Sequence, residues 1–147
     1  MATVDKSMLI GYSSAQMFDL VEDVEHYPDF LPWCEKTRVE YRDALKTVAT
    51  LHICYRGVKA SFTTENEKNA PVFMHLRLRD GPLRRLDGTW QFQALSANAC
   101  KIIFQLHYEF PNKLVDKMVG PVFSHISNTM VDAFVKRADE VYGRGND

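Results

Sequence analysis

From Asn112 onward, Leu114, Met118, Val122, Ile126, Met130, Phe134 and Ala138 recur every four residues, with Val115, Val119, Phe123, Val131 and Val135 in a second row beside them. Positions three and four apart share one face of an α-helix, so the two rows merge into a wide apolar stripe roughly seven turns long. Such a stripe must be covered by another apolar layer. Gly120-Pro121 sits inside it. Pro121 has no N–H to donate to the carbonyl of Lys117, which predicts a kink or a restart there.

The cover lies upstream, where the apolar period is two. Val39 and Tyr41 end one strand, and Ala49, Leu51, Ile53 and Tyr55 alternate in the next, after a turn at Asp43-Ala44. Gly57 allows a tight reversal. Val58, Ala60, Phe62 and Thr64 then alternate with Lys59, Ser61, Thr63 and Glu65. Val72, Met74, Leu76 and Leu78 alternate with His75, Arg77 and Arg79; Leu86, Trp90, Phe92 and Ala94 alternate with Asp87, Thr89, Gln91 and Gln93. Ile102, Phe104, Leu106, Tyr108 and Phe110 face one way, and Lys101, Gln105, His107 and Glu109 the other. Turns fall at Asn69-Ala70-Pro71, Asp80-Gly81-Pro82 and Ser96-Ala97-Asn98. Six strands with one wet face make an antiparallel meander.

Ahead of the meander, Val4, Met8 and Ile10 suit a half-buried strand over residues 3–11. Ser13 and Gln16 have capping-box spacing and open a helix carrying Met17, Phe18, Leu20, Val21 and Val24. The segment VEHYPDFLPWCEK follows, and Pro28 resists a continuous helix beyond Tyr27, which leaves a short second helix or turn ending at Pro32. The order is strand, two short helices, six strands, long helix. One apolar sheet face and one apolar helix need each other. The expected architecture is α+β: a curved seven-stranded antiparallel sheet wrapped around the C-terminal helix, a helix grip. At 147 residues the chain has the size of one domain, taken as 1–147.

Several function classes recede on composition. A net charge of -1 exerts no global pull on nucleic acid or anionic membrane. Cys34, Cys54 and Cys100 are too few and too scattered for a disulfide framework or a zinc site, and fit small buried hydrophobes in a reducing compartment. The start, MATVDKSMLIGYSS, does not read as a signal peptide, and no run approaches the ~18 apolar residues of a membrane span. A cytoplasmic location is expected. The five histidines lack metal-ligand spacing, and His75 and His107, the latter two residues from Glu109, lie on the wet face. With no nucleophile motif, phosphate loop or dinucleotide fingerprint, the expectation is no metal, no catalytic residue and no enzyme.

Three clusters remain. Tyr27, Phe30, Leu31 and Trp33 sit among two prolines, either closing the core or forming a lid over the sheet's mouth. Phe62, Leu76, Trp90, Phe92 and Phe104 point toward the long helix, with Met74, Met118 and Met130 as adaptable linings. The third cluster is basic: Arg77, Arg79, Arg84 and Arg85 flank the Asp80-Gly81-Pro82 turn. It forms either a solvated tip balanced by Asp80 and Asp87 or a site for ribosomal RNA phosphates or lipid headgroups.

The runs Tyr27-Pro28-Asp29-Phe30-Leu31-Pro32-Trp33-Cys34, Asp80-Gly81-Pro82-Leu83 and Leu86-Asp87-Gly88-Thr89-Trp90-Gln91-Phe92 closely resemble the polyketide cyclase/START-like family. Within it they resemble the coenzyme Q-binding branch, whose bacterial members are also called ribosome-association toxins. Tyr108-Glu109-Phe110-Pro111-Asn112-Lys113-Leu114 fits the same pattern, with Tyr108 where the family more often has phenylalanine, and so do Met130, Ala133-Phe134, Arg137-Ala138 and Val141-Tyr142-Gly143. The resemblance implies a START/Bet v 1-like helix grip with a hydrophobic cavity. It implies non-enzymatic binding of ubiquinone or a related prenyl lipid, as ligand rather than required cofactor, in support of respiratory electron transport. Tyr27, Phe30 and Trp33 would then gate a cavity lined by Phe62, Leu76, Trp90, Phe92, Phe104, Ile126 and Met130. The protein would be cytoplasmic and peripheral to the inner membrane. Two alternatives stay open: a toxin-like protein that blocks ribosomal subunit association through the arginine tip, and an aromatase/cyclase-like enzyme.

Overall fold

The computed structural model describes residues 2–143. Strand β1 (Ala2–Ile10) leads into helix α1 (Ser14–Glu22) and a 3-10 helix (Val24–Asp29). Six strands follow: β2 (Cys34–Arg42), β3 (Lys46–Tyr55), β4 (Val58–Asn69), β5 (Phe73–Asp80), β6 (Arg85–Ser96) and β7 (Ala99–Glu109). Helix α2 (Lys113–Val141) follows β7.

The six strands pair in sequence as an antiparallel meander, and β1 returns to the far edge beside β7, giving the order β1-β7-β6-β5-β4-β3-β2. Their inner rows face the helices: Phe62, Thr64 and Asn66 on β4, Leu86, Trp90 and Phe92 on β6, and Ile102, Phe104 and Leu106 on β7 are all buried. This is the helix grip expected from the two periodicities.

Local chemistry places the element ends. The Ser13 hydroxyl accepts from the Gln16 backbone N–H at 3.1 Å, and the Gln16 side chain accepts from the Ser13 N–H at 2.9 Å, the reciprocal box that starts α1. Asn112 Oδ1 accepts from the Val115 N–H at 2.9 Å and starts α2. Gly81, at φ +150°, lies so close to β4 that a β-carbon there would stand 2.7 Å from Phe62 Cβ. The Asp80-Gly81-Pro82 turn therefore folds tightly against the inner row, which only glycine permits.

The long helix departs from expectation in two ways. It runs through Pro121 as one element, so the restart does not occur; the missing N–H removes a single rung near the start of a 29-residue helix. Burial also begins only at Gly120. Leu114 and Met118 are 68% and 63% exposed, so the first two turns overhang the sheet and Met118 is no cavity lining. A four-residue repeat shows which face a helix turns inward but not where its partner ends. From Val122 through Ala138 the stripe is seated as expected, with Ile126, Val131 and Phe134 buried and Met130 half-buried.

The proline-rich elbow is the 3-10 helix, with Pro28 inside it, followed by a loop into β2. The Tyr27 hydroxyl donates to the carbonyl of Val21, tying the elbow back to α1. A polar knot adds a second tie. Glu22, the last residue of α1, accepts from Lys68 Nζ on β4 at 2.6 Å and from the Thr47 hydroxyl on β3. Arg42 donates to both Glu25 carboxylate oxygens at 2.7 and 2.9 Å. These bonds fasten both short helices across the β2–β4 end of the sheet.

Candidate functional site

Between the concave sheet and α2 lies a cavity of about 70 Å³. Its aromatic wall is continuous. Trp90 meets Phe104 at a centroid distance of 4.5 Å and Phe134 edge-on at 5.4 Å; Tyr27 meets Phe134 edge-on at 5.3 Å. Phe62 and Phe123 close the opposite end at 6.0 Å. The aliphatic remainder comes from Val21 and Val24 at the short helices, Ala49 and Leu51 on β3, Met74 and Leu76 on β5, Leu86 on β6 and Leu106 on β7. Ile126 and Met130 lie along the helix side.

Three polar residues interrupt this lining: Thr64 and Asn66 on β4 and Ser127 on α2. Ser127 Oγ donates to the Phe123 carbonyl at 2.8 Å. Asn66 is 5% exposed, and its Oδ1 has no hydrogen-bond partner. Thr64 and Asn66 continue the inward parity of Phe62, so β-strand alternation carried two steps further would have found Asn66.

Seven of the ten expected cavity and lid residues line this space: Tyr27, Phe62, Leu76, Trp90, Phe104, Ile126 and Met130. Phe92 does not. It stacks behind Trp90 at 6.0 Å and meets Phe18 of α1 edge-on at 5.8 Å, so it fills the core between sheet and α1. Phe30 and Trp33 do not either. They border an outer groove of about 370 Å³ against α2, beside His125, Thr129 and Arg137. The Arg137 guanidinium lies 5.1 Å over the Phe30 ring, while Trp33 is only 2% exposed. Of the elbow aromatics, Tyr27 alone reaches the cavity. Phe30 and Trp33 sit after the 3-10 helix, where the chain has turned outward past α2.

The arginines are largely neutralised by carboxylates of adjacent strands. Arg77 pairs with Glu67 at 3.4 Å, Arg79 with Glu65 at 3.5 Å and Arg84 with Glu109 at 4.0 Å. Asp87, expected to balance them, instead accepts from His75 at 3.1 Å. Arg85 is exposed and has no ion pair among the described residues. Glu109 is thus engaged with Arg84, while His107 contacts Thr3 at 3.2 Å.

Burial governs the strongest proton shifts. It pushes the Cys34 thiol up to about 12 and holds the Tyr27 hydroxyl neutral far above its ordinary range. Cys34, Cys54 and Cys100 are all free thiols. Among the described residues no group of three His, Cys, Asp or Glu side chains could hold a metal ion, and no helix is long and apolar enough to cross a membrane.

The comparisons extend over nearly the whole chain. It is 39% identical over 140 residues to the ribosome association toxin RatA of Pseudomonas aeruginosa, covering 95% of this chain and 97% of that one. It is 30% identical over 143 residues to the mitochondrial coenzyme Q-binding protein COQ10 homolog B of Xenopus laevis, covering 95% of this chain and 59% of that protein. In fold it is similar to the crystal structure of the Zhui aromatase/cyclase of Streptomyces sp. R1128, with a TM-score of 0.82 over 94% of this chain and 93% of that one at 16% identity. Residues 10–135 match the model of the family described as polyketide cyclase / dehydrase and lipid transport, and the chain belongs to that family.

Proposed function

We propose that this protein binds ubiquinone or a related prenyl lipid between the sheet and α2, holding it without converting it, in support of respiratory electron transport. One observation carries the reading: an aromatic-walled cavity with a few polar groups, on β4 and, across from it, on α2. A quinone head is flat and amphipathic, so aromatic walls suit its ring while polar groups orient its oxygens. The name of the Xenopus laevis relative points the same way. At about 70 Å³ the cavity is far below the roughly 300–1,000 Å³ of pockets that hold drug-sized ligands. Entry therefore requires widening. Met74 and Met130, flexible and without branches, and half-buried Leu76 are the linings able to move. Only the head and a few isoprene units would enter, and the tail would trail out toward a membrane surface.

A fluorescence titration tests this. Short-chain ubiquinone should quench the protein with a saturable curve carried by Trp90, so Trp90→Phe should abolish most of the effect and Trp33→Phe little of it. Linear quenching up to the quinone's solubility limit would remove the reading.

A second reading is favoured by names: the Pseudomonas aeruginosa and Vibrio cholerae relatives, at 39% and 38% identity, are called ribosome association toxins. Here the chain would contact the ribosome through its arginine tip. With Arg77, Arg79 and Arg84 paired to carboxylates, Arg85 is the cation of this tip that has no ion pair among the described residues. Each phosphate contact adds salt dependence. Arg84→Glu with Arg85→Glu should weaken cosedimentation with ribosomes at low salt; identical sedimentation of variant and parent over a salt series would exclude this tip.

A further inference from the structure

Three polar side chains meet the cavity: Thr64 and Asn66 from β4 and, across it, Ser127 from α2. The Thr64 hydroxyl can donate or accept. Asn66 Oδ1 is buried and unpartnered. Its register neighbours supply no donor: Thr47 directs its hydroxyl to Glu22, and Leu76 has none to give. Across the cavity, Ser127 has committed its proton to the Phe123 carbonyl, so its Oγ also presents an acceptor. Buried polar atoms in native interiors are nearly always paired, and an orphan acceptor on a cavity-lining side chain marks where a donor belongs.

Building on the lipid-binding reading above, we propose that Asn66 is the polar anchor of the cavity, accepting through Oδ1 a hydrogen bond from a ring hydroxyl of the ligand. Ser127 Oγ is the second acceptor. The Thr64 hydroxyl, able to donate or accept, suits either redox form, so Asn66 Oδ1 sets the choice: a ring bearing O–H groups, a hydroquinone or phenol, over the oxidised quinone. A quinone carbonyl brings only lone pairs, which leaves Asn66 Oδ1 unsatisfied and opposed by another acceptor. The reduced ring supplies the missing proton. A site whose buried polar group needs a particular partner rejects the analogue lacking it more strongly than an apolar pocket rejects a change of shape.

The test is anaerobic calorimetric titration of the parent protein with one-isoprene ubiquinol and, separately, with the corresponding ubiquinone. The parent should bind the quinol at least tenfold more tightly. Asn66→Leu, close in size, should weaken quinol binding tenfold or more, leave quinone binding within about threefold, and raise the thermal midpoint because an unpaired buried amide is gone. Should Asn66→Leu fail to fold, Ser127→Ala carries the same test from α2: quinol weakened, quinone unchanged. Equal affinity of the parent for both redox forms would overturn the proposal, as would a quinol preference that survives Asn66→Leu. A quinone preference lost in Asn66→Leu would turn the amide N–H toward the ligand and overturn the acceptor assignment. A parent that binds neither compound would overturn the lipid reading itself, and the anchor with it.

Discussion

Phe134 is where the lid, the sheet and the long helix meet. It is fully buried, and its ring lies edge-on to Tyr27 at 5.3 Å, Phe30 at 5.2 Å and Trp90 at 5.4 Å. Phe134→Ala removes an aromatic side chain whose burial alone contributes about 1.5–3 kcal/mol. Each edge-to-face pair adds about 0.5–1.5 kcal/mol. The hole left behind merges with the existing cavity, so the surroundings have little to collapse onto and the cost stays near the upper part of the ~3–5 kcal/mol range of such truncations. A loss of about 4 kcal/mol would lower the thermal midpoint by roughly 8–16 °C at this chain length. Urea unfolding at constant m-value, read by far-UV circular dichroism, measures it directly. A loss below about 1.5 kcal/mol would refute the claim that the inner face of α2 is clamped between elbow and sheet.

The polar knot, the buried thiol and the overhanging helix start each carry an expectation of their own. Lys68, with a side chain only 7% exposed, holds Glu22, so Lys68→Met should cost about 1–3 kcal/mol in chemical denaturation; no change would mean that the knot is decorative. Burial raises Cys34 from an ordinary 9.0 to about 12, so in that window the folded chain keeps a proton that the unfolded chain has lost. Its contribution to stability is whole below pH 9 and falls as pH rises from 9 to 12, by about 1.4 kcal/mol per unit at the steepest. Cys34→Ala should flatten that alkaline limb, and an unchanged slope would contradict the burial argument. Met118→Glu should alter stability by no more than about 0.5 kcal/mol, because Met118 overhangs the sheet; a collapse of the fold would show that its face is covered after all.

The elements themselves were legible because their physics is local. Alternation marked the inner rows, the Ser13 and Gln16 spacing marked the start of α1, and the four-residue rows marked α2. What alternation cannot say is which inward residues meet empty space. Phe92 shares the parity of Trp90 but lies under Phe18, whose position depends on how α1 folds back. Trp33 carries the same proline-bounded signal as Tyr27 yet turns to the outer groove. The Glu22–Lys68 bond joins residues 46 apart and leaves no trace in local pattern. The sequence offered the arginine tip only Asp80 and Asp87 as partners; the actual ones, Glu65, Glu67 and Glu109, come from neighbouring strands whose register the composition of one hairpin does not reveal.

Entry of a ligand between the sheet and α2 is reported by the methionines in one measurement. Met74 and Met130 line the cavity, while Met118 stands on the exposed overhang. With methyl-labelled methionine, a titration with one-isoprene ubiquinol followed by NMR should move the Met74 and Met130 methyl signals along a saturable curve and leave Met118 in place. Movement of Met118 alone, or of none of them up to the solubility limit, would contradict the account.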